Sequence, residues 1–236
     1  MKFYGSIGRV VIGFSILIFT YLSLTPSVQA QPEVFPPGSS PYGLSYGEWS
    51  AKWWQWLGTI PREENPGLDE TGALCTLNQN TTEPVVFLAG TFGGNAERTC
   101  TIPSGKSILV SPVDVIFTFD DIPETSNTED GLRDAAKKDM DINIKYPIVK
   151  VNGEPVPNLV DYRIQSPLFN ITVPADNVIS VMPKAVTKGV SDGIFVMLKP
   201  LPVGTHTIEF GGGAPDPSTG ATMNFVTGVK YAVNVK

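Results

Sequence analysis

The stretch VKYAVNV, residues 229–235, alternates without a break: Val229, Tyr231, Val233 and Val235 are apolar, and Lys230, Ala232 and Asn234 fall between them. Successive side chains of a strand point to opposite faces, so this run predicts a strand with one face on a core. Working back along the chain, similar runs recur: GTHTIEF (204–210), GIFVMLK (193–199), LFNITV (168–173), YRIQS (162–166) and IVKVNGEPV (148–156). Asn152-Gly153 in the last of these is a strong hairpin signal. Further back lie KSILVSPVDVIF (106–117), RTCTI (98–102) and PVVFLAGTF (84–92), set apart by Gly-Gly and Pro-Ser-Gly turns. Many short strands with frequent turns predict a mainly β protein, an antiparallel β-sandwich or jelly-roll-like single domain over 46–236.

Two short helices interrupt the strand pattern. Over 46–58, Tyr46, Trp49, Trp53, Trp54, Trp56 and Leu57 share one side of a helical wheel, while Glu48, Lys52 and Gln55 take the other. All four tryptophans of the chain fall here. The second helix, about 129–140, follows an acidic loop. Residues 31–45 (QPEVFPPGSSPYGLS) read as an extended entry segment.

Ahead of that segment, Lys2 and Arg9 precede an apolar run, VVIGFSILIFTYLSL (10–24). Pro26 and Val28-Gln29-Ala30 follow it. The pattern is that of a signal peptide over residues 1–30, too short for a spanning helix. It predicts a secreted, periplasmic or cell-surface protein with no integral membrane segment after cleavage. An uncleaved N-terminal anchor is the alternative. The chain carries a net charge of −6, and cleavage would leave 15 basic against 23 acidic residues. Such a balance speaks against nucleic acid as a partner. Cys75 and Cys100 are the only cysteines. In an exported chain they predict a disulfide, closing a loop of about 26 residues.

The blocks SYGEWSAKWWQWL, FLAGTFGG, RTCTIPSGK, YRIQSPLFN and GVSDGIFVMLKPLPVGTHTIEFGG are similar to the shared blocks of a family of uncharacterised secreted proteins from bacteria and archaea. The resemblance spans roughly residues 44–236. It implies export; the family has no established activity, so no catalytic residues are carried over from it.

Candidate chemistry is sparse. Trp49, Trp53, Trp54 and Trp56 are either a core face or an aromatic platform for a flat ligand such as a sugar ring. His206 is the only histidine, which excludes sites built from several histidines, including HExxH zinc sites. It is either a satisfied rim residue or a ligand-binding group. Asp120, Asp121, Asp139 and Asp141 belong to an acidic stretch that is either a solvated face or a weak Ca²⁺ site. Against the cation, Ile144 and Lys150 stand where a Ca²⁺ loop needs Gly and Glu. No cofactor is expected. Asp114, Asp192, Glu209 and Glu48 are the candidates for a carboxylate pair of the kind glycosidases use. Asn80 and Asn170 fit the N-glycosylation pattern.

Three functions follow. The first is a non-catalytic binding or cell-envelope module, with a glycan or envelope component as partner. The second is a carbohydrate-active hydrolase or lyase. The third is a subunit of an extracellular filament or coat, with segment 31–45 donated to a neighbour as a strand.

Overall fold

The computed structural model describes residues 1–2, 31–80, 82–143, 145–179, 184–215 and 223–236. The expected signal segment lies outside the described residues. The elements are α1 (Tyr46–Leu57), β1 (Val85–Leu88), β2 (Gly94–Ile102), β3 (Ser107–Thr118), α2 (Glu129–Asn143), β4 (Lys145–Val151), β5 (Glu154–Pro155), β6 (Arg163–Gln165), β7 (Phe169–Val173), β8 (Lys184–Leu198), β9 (Gly204–Pro215) and β10 (Met223–Val235). They form two five-stranded sheets. One runs β1-β3-β8-β6, with β7 also on β8; the other runs β2-β10-β9-β4-β5.

The mainly β expectation holds, with one refinement. Most pairings are antiparallel, but β1 runs parallel to β3 and β2 runs parallel to β10. The reason lies in the connection between β1 and β2. Residues 89–93 carry the chain from one sheet to the other instead of turning it back as a hairpin.

The alternation at the C-terminus is realised: Val229, Tyr231, Val233 and Val235 are buried, and Lys230 and Ala232 are exposed. Asn152 and Gly153 take positive φ at the β4–β5 turn, as the hairpin signal requires. β3 lies against β9, and this contact joins the sheets.

Helix α1 starts at a capping box. The Ser45 N–H donates to Glu48 Oε2 at 2.8 Å, and the Ser45 hydroxyl oxygen accepts from the Glu48 N–H. All four indoles are at most 7% exposed. At about 25 cal/mol per Å², burying each contributes roughly 4–6 kcal/mol before entropy is counted. Helix α2 runs to Asn143, three residues past the expected end. Asp141 in that extension is held by Lys137 and Arg163. No helix among the described residues is long and apolar enough to cross a membrane.

The entry segment runs along β8 and then turns once. Val34 bridges to Leu198, Phe35 N–H donates to the Met197 carbonyl at 2.9 Å, and Pro41–Gly43 form a single 3₁₀ turn.

Cys75 and Cys100 are joined as expected. Reducing the bond releases the loop between them in the unfolded chain, which lowers stability by about 3.5 kcal/mol in the chain-entropy model. Urea unfolding with and without a thiol reductant checks this. The reduced protein is expected to unfold at lower urea, with a loss of unfolding free energy of that size and a steeper slope, because the released loop expands the unfolded chain.

Candidate functional site

Four indoles on one helix do not end in equivalent places. Trp49 Nε1 donates to the Pro41 carbonyl at 2.9 Å, and Trp56 Nε1 donates to the Leu77 carbonyl at 2.8 Å. These two are ordinary core residues. Trp53 and Trp54 are as deeply buried, yet neither indole N–H makes a full hydrogen bond among the described residues, although Trp54 lies beside the Asp114 carboxyl. A buried donor without an acceptor costs about 1–3 kcal/mol. Two adjacent ones therefore mark a place that packing alone does not explain.

Both indoles line a partly open cavity of about 140 Å³. Leu57, Pro112, Val113 and Phe92 complete its apolar walls, and Thr91, Ser111, Asp114 and Thr227 supply polar atoms. Shallower grooves of about 280 to 370 Å³ lie elsewhere. Trp49 and Trp56, with their donors satisfied, face one of those grooves.

The cavity forms where β3 loses its neighbour. β1 pairs with β3 only as far as Leu88 opposite Val110, and a bulge follows between Val110 and Val113. Pro112 sits in the bulge, where its missing N–H matters least. The bulge sets Asp114 opposite Gly193 on β8. A Cβ on Gly193 would lie 2.3 Å from the Asp114 Cβ, so glycine there makes the room Asp114 needs.

The far wall is the crossing segment 89–92. Arg98, only 3% exposed, donates through Nη1 to the Ala89 and Gly90 carbonyls and to the Tyr231 hydroxyl. Its Nε and Nη2 reach the Asp69 and Gly67 carbonyls. Thr91 is tied to β10 through the Thr227 hydroxyl, which donates to the Thr91 carbonyl at 2.8 Å. The Phe92 ring rests on Gly67, where a Cβ would come within 2.5 Å of it.

Among the described residues, Asp114 is the one titratable side chain on the cavity wall. Burial pushes its carboxyl up to about 7; hydrogen bonding from Ser111 and then from Trp54 opposes the shift without cancelling it. The residue is half-buried and lines the cavity. The Trp54 indole lies beside the carboxyl without the alignment of a full hydrogen bond. The Ser111 hydroxyl has a single proton, shared between the Ile194 carbonyl at 2.8 Å and Asp114.

The other sequence candidates lie elsewhere. Asp192 neighbours Gly193 on β8 and so points to the opposite face from Asp114. It pairs with Arg163 at 2.8 Å and accepts from Gln165. Glu48 is spent on the helix cap, and the Ser45 hydroxyl and N–H hold its carboxyl below the usual range. Glu209 faces Lys230 across the β9–β10 pair at 3.8 Å. The four carboxylates thus do not form a pair in this cavity.

His206 stands at the β4–β9 edge. Its Nε2–H donates to the Pro202 carbonyl at 2.8 Å, which leaves Nδ1 to accept from the Asn152 amide at 3.1 Å. Both ring nitrogens serve the hairpin. Asp121 accepts from the Thr118 N–H and hydroxyl and closes a turn. Asp120 accepts from the Thr187 hydroxyl, and Asp141 bonds Lys137 and Arg163. No group of three or more metal-ligating side chains occurs among the described residues, and Asp139 lies on α2 with Asp141. Asn170 gives its carbonyl to the Gln55 amide, and Asn80 turns its side chain back to Thr82.

Neither a family model nor a curated protein matches the chain. Two solved structures show a distant likeness. One is the cysteine protease inhibitor EhICP2 from Entamoeba histolytica, at 13% identity and TM-score 0.25, covering 64% of this chain and 96% of that one. The other is PbICP-C in complex with falcipain-2, at 9% identity and TM-score 0.23, covering 65% of this chain and 100% of that one. Likeness at this level transfers no activity.

The raised Asp114 carboxyl has a consequence for stability. The folded state keeps the proton longer than the unfolded chain does, so this group favours folding at acid pH. That contribution is lost as pH rises from about 4 through about 7. Asp114→Asn removes the ionisation and should stabilise the protein at pH 8, by up to about 4 kcal/mol before screening by water in the cavity. Melting temperatures of both forms at pH 5 and pH 8 check it. The gain is expected at pH 8 and largely absent at pH 5.

Proposed function

We propose that the protein is an exported, non-catalytic binding module that takes the small end of an extracellular ligand into the Trp53–Trp54–Asp114 cavity. One observation carries this reading. Trp53 and Trp54, whose buried indole N–H groups make no full hydrogen bond among the described residues, and Asp114, whose carboxyl burial holds well above its usual range, line a single small cavity. Burial alone would select against all three. An occupant offering hydrogen-bonding atoms would satisfy them together.

At about 140 Å³ the cavity is below the range of roughly 300–1,000 Å³ common for whole small-molecule sites. It suits a single terminal group of something larger, which fits a glycan or another envelope component as partner. Export rests on the N-terminal run and on the disulfide, a bond that persists in oxidising compartments.

The paired-carboxylate hydrolase receives no support, since Asp192, Glu209 and Glu48 are each engaged away from Asp114. The filament reading needs segment 31–45 free for a neighbour, whereas Glu33–Phe35 lie along β8 of the same chain.

Fragment screening by NMR tests the reading. Small neutral, cationic and anionic fragments are titrated into ¹⁵N-labelled protein while the four indole N–H resonances are followed. At least one class should shift Trp53 and Trp54 while leaving Trp49 and Trp56 in place. Silence of Trp53 and Trp54 across all three classes contradicts the proposal.

A further inference from the structure

We infer that the free edge of β3 beside this cavity takes an extended polypeptide segment of a partner as an added strand, with a lysine or arginine of that segment lying beside Asp114. The inference rests on the binding reading above and names the class of partner: the small end that enters the cavity is one side chain of a peptide.

The backbone of β3 carries the argument. β8 occupies one edge of the strand from Ile108 to Thr118, whereas β1 occupies the other only from Ser107 to Val110. Which groups face the open side follows from the register. Ser191 lies opposite Ile116, yet its N–H donates to the Ser166 hydroxyl and its carbonyl accepts from the Ser166 N–H, both at 2.9 Å. Ile116 therefore points its own N–H and carbonyl away from β8. Pairs in an antiparallel ladder alternate, so Asp114 does the same. Thr118 is the next residue in this phase, and there the edge is closed: its N–H donates to the Asp121 carboxylate and its carbonyl accepts from the Asp121 N–H. The N–H and carbonyl groups of Asp114 and Ile116 have no such partner among the described residues. Burial changes at the same place. β3 is buried through Val113 and half-buried from Asp114 to Phe117, where its second neighbour is missing.

An unpaired strand edge is a template for another strand. Donor and acceptor groups recur along it about every 6.8 Å, the two-residue repeat of an extended backbone. The edge also lies in a slot. Val113 and Asp114 line the cavity together with Trp54 of α1 and with Gly213 and Thr227 of the other sheet. The same walls set back the edge of a second copy, so two such edges do not meet at the roughly 4.8 Å of a strand pair. A single extended segment fits. The residue of that segment beside Asp114 turns its side chain to the same face, toward the cavity. No lysine or arginine lines the cavity among the described residues, so the cation that complements Asp114 comes from the partner.

The test titrates acetylated, amidated heptapeptides of alternating Thr and Val, with Lys, Ala or Glu at the centre, into ¹⁵N-labelled protein. In the free protein the Asp114 and Ile116 amides should exchange with solvent at least about tenfold faster than those of Val115 and Phe117, which face β8. Saturating Lys peptide should remove that difference and bind at least about threefold more tightly than the Glu peptide. Asp114→Asn should erase the preference for Lys over Glu. Two versions of the Lys peptide, N-methylated at odd or at even residues, lose the donors of one edge each; one should bind and the other should not. Silence of all three parent peptides overturns the inference, as does binding that leaves the Asp114 and Ile116 amides unchanged or treats both N-methylated versions alike. Slowed exchange of these amides on raising protein concentration alone, with a dimer in light scattering, overturns it in favour of a second copy. The three-class fragment screen decides the binding reading separately.

Discussion

A buried guanidinium holds this structure's two halves in register. Arg98 on β2 donates to carbonyls on the 67–69 loop, to the Ala89–Gly90 corner and to the Tyr231 hydroxyl. The corner leaves one sheet and Tyr231 belongs to the other, so one side chain spans the crossing point. Its charge lies 5.6 Å from the Tyr231 ring centroid. A desolvated cation needs compensation, and here carbonyl dipoles and a π face supply it where a carboxylate is more usual. Lysine, with a compact ammonium, lacks the planar fork that reaches these three separate segments. The parallel pairings of β1 with β3 and of β2 with β10 both depend on this crossing being fixed.

The cavity is a by-product of the same constraint. Because Arg98 pins residues 89–90 across the gap, β1 ends early and β3 runs on without an edge partner. The bulge at Ser111–Pro112 follows, and its residues line one cavity with Trp53 and Trp54 of helix α1. The helix buries four indoles, and neither of the inner two makes a full hydrogen bond, although Trp54 lies beside Asp114. Trp49 and Trp56 reach carbonyls of neighbouring loops, whereas Trp53 and Trp54 meet Phe195, each other and the cavity. One apolar arc thus has two environments: its ends hydrogen-bond neighbouring loops, and its middle lines the cavity.

The fold was largely legible in the sequence. The period-two run at 229–235, the Asn152-Gly153 turn and the amphipathic pattern at 46–57 each express a local rule, and each element formed where that rule put it. Strand direction was not legible, since β1–β2 reads like a hairpin until the crossing at 89–93 is seen. The site was half legible. The tryptophans stood out by their clustering, and Asp114 was visible as a carboxylate on a strand. Nothing local separated Trp53 and Trp54 from Trp49 and Trp56, because that difference lies in loop carbonyls 8 to 21 residues away. Arg98 gave no signal either: in sequence it is one charge in an alternating strand. Only its burial, with no facing carboxylate, reveals its work. His206 and the acidic stretch drew notice by composition, yet their side chains serve turns, a hairpin and a helix latch.

Whether the Trp53 and Trp54 donors are open to an occupant can be seen directly in a crystal structure that resolves ordered solvent. Oxygen density about 2.7–3.2 Å from Nε1 of Trp53 or Trp54, bridging toward the Asp114 carboxyl, is the predicted result. A collapsed cavity, with Asp114 accepting full hydrogen bonds from both indoles and no room for another atom, would contradict it.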